Sequence, residues 1–147
     1  MSIEELLERP YCVVDILPMQ VPAGGGGQYF RVEQYYLNDA ERMVREYVDV
    51  LLKLNCYYDL AFSHDAEHWL LNPEPEHIRG MVSACLRGNR DEACLYVTLA
   101  DDSVLLTLQR DTTHMTLYNP SDELLRLLSL LASAAGLFVW APSDQTV

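Results

Sequence analysis

Basic residues are scarce in this chain, and lysine is nearly absent. Lys53 is the only lysine, and 10 basic residues face 22 acidic ones, which leaves a formal net charge of −12 at pH 7. That charge repels phosphate backbones and the arginines are scattered, so we expect no nucleic-acid binding. A basic protein partner fits the charge better, as does a simple role in solubility.

Long hydrophobic runs are lacking as well. The longest apolar stretch, residues 124–141, is interrupted by Arg126, two serines and Gly136, whereas a membrane span needs about 20 mostly apolar residues. The N-terminal segment MSIEELLERP is acidic and has no apolar run behind a basic flank. We therefore expect no secretory signal, no membrane association and a cytoplasmic location.

Paired cysteines are the third absence. Cys12, Cys56, Cys85 and Cys94 are widely spaced, and no C-x-x-C pair occurs. Each has apolar neighbours, and in such surroundings a free cysteine behaves as a small buried hydrophobe. We expect four buried free thiols and no disulfides.

The length and composition predict one folded unit. Hydrophobic residues make up 50% of the 147 residues, which is enough for a packed core in one ordinary domain. We therefore expect a single globular domain over residues 1–147. Four consecutive glycines predict a flexible loop at 23–27, and the polar tail at 143–147 is expected to fray.

Apolar residues at helical spacing predict three main helices, over residues 39–54, 75–87 and 120–135. A short helix is predicted at 2–9, and another at 64–71 with Ser63 as its cap. Residues 28–37, QYFRVEQYYL, alternate imperfectly and are interpreted as an edge strand or an extended arm. Further strands are predicted at 11–17, 56–63, 93–100, 103–109, 113–119 and 137–142.

These elements predict an α/β protein of the α+β type. We expect two layers: a mixed, mostly antiparallel sheet of five to seven strands, with about three main helices packed on it. The strands at 93–119 follow one another through short turns, which is typical of an antiparallel meander.

The stretch HDAEH, residues 64–68, has the form H-x-x-E-H and resembles the zinc signature of the inverted metallopeptidases. The resemblance implies His64 and His68 as zinc ligands and Glu67 as the general base. It covers five residues, and no matching downstream element supplies the third ligand. We expect a solvent-exposed surface without a metal, and we keep a small zinc-dependent hydrolase as the alternative function.

Alternation along the predicted meander leaves one sheet face rich in tyrosine and threonine. Leucine, valine and methionine side chains point to the helix side, and the other face carries Tyr96, Thr98, His114, Thr116 and Tyr118. This face is either an ordinary half-exposed surface or a recognition surface, because tyrosine offers a large amphipathic contact area.

The favoured function is a small acidic intracellular module that binds a protein, and we favour binding over enzymatic activity. An immunity- or antitoxin-like inhibitor of a basic protein is one concrete version, with charge steering the encounter and aromatic residues anchoring it. No cofactor is expected apart from the zinc alternative. A homodimer through the leucine-rich helix at 121–135 is a further possibility, although we favour burial of that helix within the fold.

Overall fold

The computed structural model describes residues 1–22, 24, 26–87, 93–110 and 112–142. The described elements are, in chain order, α1 (Ile3–Leu7), β1 (Tyr11–Asp15), α2 (Gln28–Asn38), α3 (Ala40–Asn55), β2 (Ala61–Ser63), β3 (Leu70–Leu71), α4 (Pro75–Leu86), β4 (Cys94–Leu99), β5 (Val104–Gln109), β6 (His114–Tyr118), α5 (Asp122–Ala134) and β7 (Phe138–Trp140). The predicted tail at 143–147 and part of the predicted loop at 23–27 lie outside the described residues.

The seven strands form one sheet in the order β3-β2-β4-β5-β6-β1-β7. Every described pair of neighbours is antiparallel, so the α+β prediction is confirmed with a sheet that is antiparallel rather than mixed. The meander β4-β5-β6 is present as predicted. Two helices, α1 and α2, join the three main ones, and β1 lies between β6 and β7, far from its neighbours in sequence.

Alternation along the strands gives the sheet one strongly apolar face, here called the helix-covered face. Its side chains pack against α3, α4 and α5 in a single buried core, because the apolar stripes of those helices must be removed from water. The strands contribute Cys12, Val14, Phe62, Leu95, Val97, Leu99, Val104, Leu106, Leu108, Met115 and Leu117.

The segment at 28–38 is helix α2, so its interpretation as a strand or extended arm is wrong. The helix runs directly into α3 and contains no buried residue. Tyr36 and Leu37 are partly buried against the core, and the Tyr29 hydroxyl lies 3.3 Å from Glu33 Oε2 one turn along the helix. These contacts follow helical spacing, which outweighs the strand preference of the aromatic residues.

The segment at 64–68 is a loop between β2 and β3, so the predicted helix is wrong there. Ser63 Oγ accepts the Ala66 backbone N–H at 2.9 Å, and Asp65 Oδ1 accepts the backbone N–H groups of Glu67 and His68, each at 2.9 Å. Ala66 has a φ of 62°, outside the helical region. Side chains that satisfy nearby backbone donors compete with a helix in this way.

Helix α5 is only partly buried. Leu124, Leu128 and Ala132 are buried and belong to the core, as the favoured prediction for this helix requires. Leu130, on another side of the helix, is 70% exposed. The N-cap is Ser121, whose Oγ accepts the Leu124 N–H at 3.1 Å. Self-association through residues 121–135 stays a prediction.

None of the four described cysteines forms a disulfide, but their burial differs from the prediction at two positions. Cys12 and Cys85 are buried and Cys94 is half-buried, whereas Cys56, just beyond the end of α3, is exposed. Burial raises the pKa of the Cys12 thiol to about 12. Among the described residues, no helix has the length and apolar character needed to cross a bilayer.

Candidate functional site

The sheet face opposite the three main helices is here called the open face. Asp15 on β1 stands opposite His114 on β6 and Phe138 on β7, at one end of the strands. Two further rows cross the open face in register. One contains Tyr96, Thr107, Thr116, Val13 and Trp140, and the other contains Thr98, Leu105, Tyr118 and Tyr11.

Helix α1 covers the middle of the open face. It packs over β5, and both Leu6 and Leu105 are 0% exposed. A capping box holds its first turn, because Ser2 Oγ accepts the Glu5 N–H at 3.2 Å while Glu5 Oε2 accepts the Ser2 N–H at 3.0 Å. The helix therefore divides the open face into two parts.

The larger part is a cleft of about 840 Å³ between the sheet and the start of α2. One wall comes from Gln20, Val21 and Pro22 together with Gly27, Gln28, Tyr29 and Phe30. The sheet supplies the floor, with Tyr11, Val13, Asp15, His114, Thr116, Tyr118 and Trp140. Clefts of this size, mostly apolar with a few polar groups, are the usual form of a binding site.

The structure brings three of the five predicted surface residues together. His114, Thr116 and Tyr118 all line the cleft. Thr98 is 6% exposed and faces a separate hollow beyond α1. Tyr96 is half-buried, and a hydrogen bond with Cys94 together with burial raises the pKa of its hydroxyl to about 12. Neither of these two residues lines the cleft.

Asp15 is the buried acidic residue of the cleft floor, and sequence reasoning missed it. The residue is 3% exposed; its Oδ1 accepts the Ile16 N–H at 2.7 Å, and its Oδ2 accepts the indole N–H of Trp140 at 3.2 Å. The ion pairs found among the described residues do not include Asp15. No described arginine or lysine lines the cleft, so this carboxylate has no cationic partner in the described part of the chain.

Aromatic rings make up much of the described lining of the cleft, and the Trp140 indole is the one bonded to Asp15. The rings of Tyr11 and Tyr118 lie 5.7 Å apart between centroids, with a 48° angle between their planes. The hydrogen bond to Asp15 orients the Trp140 indole, and Tyr29 and Phe30 face the sheet from α2. Five aromatic side chains therefore line the cleft.

The charge of Asp15 contributes to a raised pKa at two tyrosine hydroxyls. The pKa of Tyr47 is raised by burial first and by Asp15 second. The pKa of Tyr29 is raised by burial, by Glu33 and, more weakly, by Asp15. Tyr47 is 0% exposed and donates its hydroxyl to the Thr113 carbonyl, which ties α3 to the start of β6 beneath this end of the cleft.

The HDAEH loop lies elsewhere, beside a hollow of about 350 Å³ that His64, His68 and His77 help to line. His64 Nδ1 lies 3.0 Å from the Cys94 carbonyl oxygen, and His68 Nδ1 lies 2.7 Å from Asp65 Oδ2. Asp65 raises the pKa of His68, and the backbone and side-chain N–H groups of His68 lower that of Asp65.

The predicted zinc set is not assembled as the sequence pattern implies. Among the described residues, the group with ligand atoms within 4.8 Å of one another is Asp65, Glu67 and His68, so Asp65 stands where His64 was expected. All three are exposed, whereas a catalytic zinc needs enclosed ligands with one open position. Zinc binding here stays a prediction.

The fold and the cleft describe an α+β protein with an antiparallel sheet, three helices on one face and an aromatic cleft on the other. Comparison with protein-family models, with curated proteins and with solved structures finds no match to this chain.

Proposed function

We propose that this protein is a binding module that holds a segment of a basic protein partner in the cleft on the open face. The observation that carries the proposal is the composition of the described cleft lining: five aromatic side chains and one buried carboxylate, with no lysine or arginine. An immunity- or antitoxin-like inhibitor of a basic protein is one concrete version of this role.

The aromatic lining favours a protein partner. Tyrosine and tryptophan are enriched at the centres of protein interfaces, because they bury much area while losing little side-chain entropy. Phe30 is 63% exposed and Tyr29 is 38% exposed, so part of this aromatic area remains available to a partner. A partner that covers it removes apolar surface from water.

The start of α2 favours an occupant with a polypeptide backbone. Gly27 is the N-cap, and no side chain caps the first turn, so the first backbone N–H groups lack the usual side-chain acceptor. Gly27 and Gln28 line the cleft. A partner carbonyl can accept hydrogen bonds from these groups, as extended segments do in many peptide complexes.

The net charge supports a basic partner. A formal charge of −12 raises the rate at which a basic protein encounters this surface, in a way that weakens as salt is added. The proposal also places the protein in the cytoplasm, because four free cysteines are typical of a reducing compartment.

Site-specific photocrosslinking in the source cells tests this proposal. A benzoylphenylalanine at Phe30 stands at the rim of the cleft, and one at Tyr57, an aromatic position of similar exposure (67%) beyond α3, is the matched control. We expect a crosslink from position 30, and not from 57, to a protein of net positive charge. The purified pair should then bind more weakly at about 300 mM than at about 50 mM salt, because added salt shortens the distance over which charges attract one another.

An equal crosslink from both positions, no crosslink, or capture of an acidic partner would contradict the proposal. The homodimer through residues 121–135 predicts a different result, which is a crosslink between two copies from a probe at Leu130. The zinc-hydrolase alternative receives no support from the loop at 64–68, since its described candidate ligands are exposed.

A further inference from the structure

We propose that the cleft recognises an arginine side chain of the partner, whose guanidinium binds Asp15 beside the Trp140 indole. This inference rests on the proposed binding function and names the chemical group that anchors it. It depends on three features of the cleft: the state of the Asp15 carboxylate, the arrangement of the rings and the absence of a competing cation among the described residues.

The Asp15 carboxylate has capacity for a ligand. Each oxygen accepts one N–H group, from Ile16 and from Trp140, and a carboxylate with two oxygens can accept about four hydrogen bonds. The residue is 3% exposed yet lines the cleft. A desolvated carboxylate without a counter-charge is unfavourable, and a cation that enters the cleft relieves that cost.

The rings favour a cation that is flat and weakly hydrated. The Trp140 indole is held beside Asp15 by its hydrogen bond, and the Tyr29 hydroxyl is close enough for Asp15 to raise its pKa. The Tyr11 and Tyr118 rings lie four residues away along β1, at the other end of the cleft floor. A guanidinium can stack on the Trp140 indole while its N–H groups reach the carboxylate. An ammonium is a strongly hydrated point charge, so it loses more on entering this site.

Two groups beside the cleft bear on its preference for a cation: the N-terminus of α2 and His114. The N-terminus of α2 faces the cleft through Gly27 and Gln28, and its dipole amounts to about half a positive charge at an exposed helix end. Asp15 carries a full charge with little solvent around it, so its attraction for a cation outweighs that of the dipole for an anion. His114 stands opposite Asp15 in the β1–β6 ladder, but no ion pair joins the two.

The two tryptophans provide a direct readout. The Trp140 indole N–H is bonded to Asp15, whereas Trp69 lines the hollow on the far side of α1. Each carries one indole N–H group, which a ¹⁵N–¹H spectrum of the labelled full chain detects. The probes are three blocked tripeptides, acetyl-Gly-X-Gly-amide, in which X is arginine, lysine or citrulline, the last being a neutral analogue of arginine.

We expect the arginine peptide to shift the Trp140 indole signal to saturation while the Trp69 signal stays in place. The lysine peptide should bind about tenfold more weakly, and the citrulline peptide should not saturate. Asp15→Asn should weaken arginine binding at least about tenfold, whereas Asp102→Asn, which removes an equal charge from the exposed β4–β5 turn, should leave it unchanged.

Equal shifts with arginine and citrulline in the wild-type chain would overturn the inference, whether or not Asp15→Asn folds. An unmoved Trp140 signal would also overturn it. If the partner captured from position 30 still bound Asp15→Asn with unchanged affinity, the arginine anchor would fail and the proposed function would stand. If no basic partner were captured but the arginine peptide bound, the proposed function would fail on its own.

Discussion

The two faces of the sheet differ in the helices that cover them, and two adjacent residues of β5 show the difference. Leu106 points to the helix-covered face and joins the continuous core, while Leu105 points to the open face beneath α1; both are 0% exposed. Three helices of 12 to 16 residues cover the first face. The open face has a helix of five residues and the rim helix α2, in which no residue is buried.

This contrast separates stability from recognition. Most buried apolar area lies on the helix-covered face, so that face supplies most of the free energy of folding. The open face retains a buried carboxylate and exposed aromatic rings, features that lower stability when no partner is present. Binding sites commonly lie where a rigid scaffold carries such less stable elements.

Hydrogen exchange of α2 and α3 should show the largest difference between the two regions. Seven residues of α3 are buried and none of α2. We expect α3 amides to exchange only through global unfolding, at a cost of about 5–15 kcal/mol for an ordinary domain, and α2 amides to open at nearly no cost. Native-state exchange by NMR measures both, and equal protection would contradict the division of roles.

Replacing the paired leucines of β5 should give the next largest effect. Leu106→Ala and Leu105→Ala each remove a fully buried side chain, at a cost of about 2–5 kcal/mol. We expect Leu106→Ala near the upper end, because the long helix α4 that packs over β5 is held in place by α3, and Leu105→Ala near the lower end, because the short helix α1 can shift inward. Urea unfolding compares the two, and a larger loss for Leu105→Ala would reverse the comparison.

Removing a single tyrosine hydroxyl should cost more unfolding free energy on the helix-covered face than on the open face. Both losses should be smaller than those of the leucine variants. Tyr47→Phe deletes the buried donor to the Thr113 carbonyl and should cost about 1–3 kcal/mol in unfolding free energy. Tyr118→Phe, on the half-buried open face, should stay within about 0.5 kcal/mol. Equal losses from thermal or urea unfolding would mean that the open face is as tightly packed as the core.

The smallest expected effect is at the HDAEH loop, away from both faces. Asp65 raises the pKa of His68, so the folded value lies above the unfolded one. The contribution of this pair to stability is therefore complete below the unfolded histidine pKa and is lost as pH rises through the folded value. Both side chains are largely exposed, so the change in stability should be near the limit of measurement.

An NMR titration of the His68 ring measures this effect. Asp65→Asn should lower the midpoint of that titration, whereas Glu76→Gln, a charge change in α4 outside the loop, should not. An unchanged midpoint in Asp65→Asn would show that the 2.7 Å contact between His68 Nδ1 and Asp65 Oδ2 does not persist in solution.

Helices α3, α4 and α5 and the meander β4-β5-β6 were predictable because their apolar residues repeat with a clear period. Each apolar stripe needs one buried surface, and the period identifies the element without knowledge of its partners. The two wrong assignments lie where local signals disagree. Aromatic residues in α2 favour a strand, and Ser63 and Asp65 form side-chain hydrogen bonds that stop a helix after β2.

One strand of the cleft floor was also predictable. The alternation of β6 places His114, Thr116 and Tyr118 on one face, and the structure has them in the cleft. Asp15 was not predictable, because β1 and β7 lie far apart in sequence and its bond to Trp140 spans 125 residues. The sequence feature that marks Asp15 is its position as the single acidic residue at the end of an apolar strand, YCVVD.

The sequence by itself determined the acidic charge, the three main helices, the meander and the face on which each meander side chain lies, because these depend on residue type and on periods of two or 3.6 residues. The tertiary structure alone decided the strand order, the placement of α1 and α2 over the open face and the bond between Asp15 and Trp140. Those features depend on contacts between distant segments, and no local period encodes which segments meet.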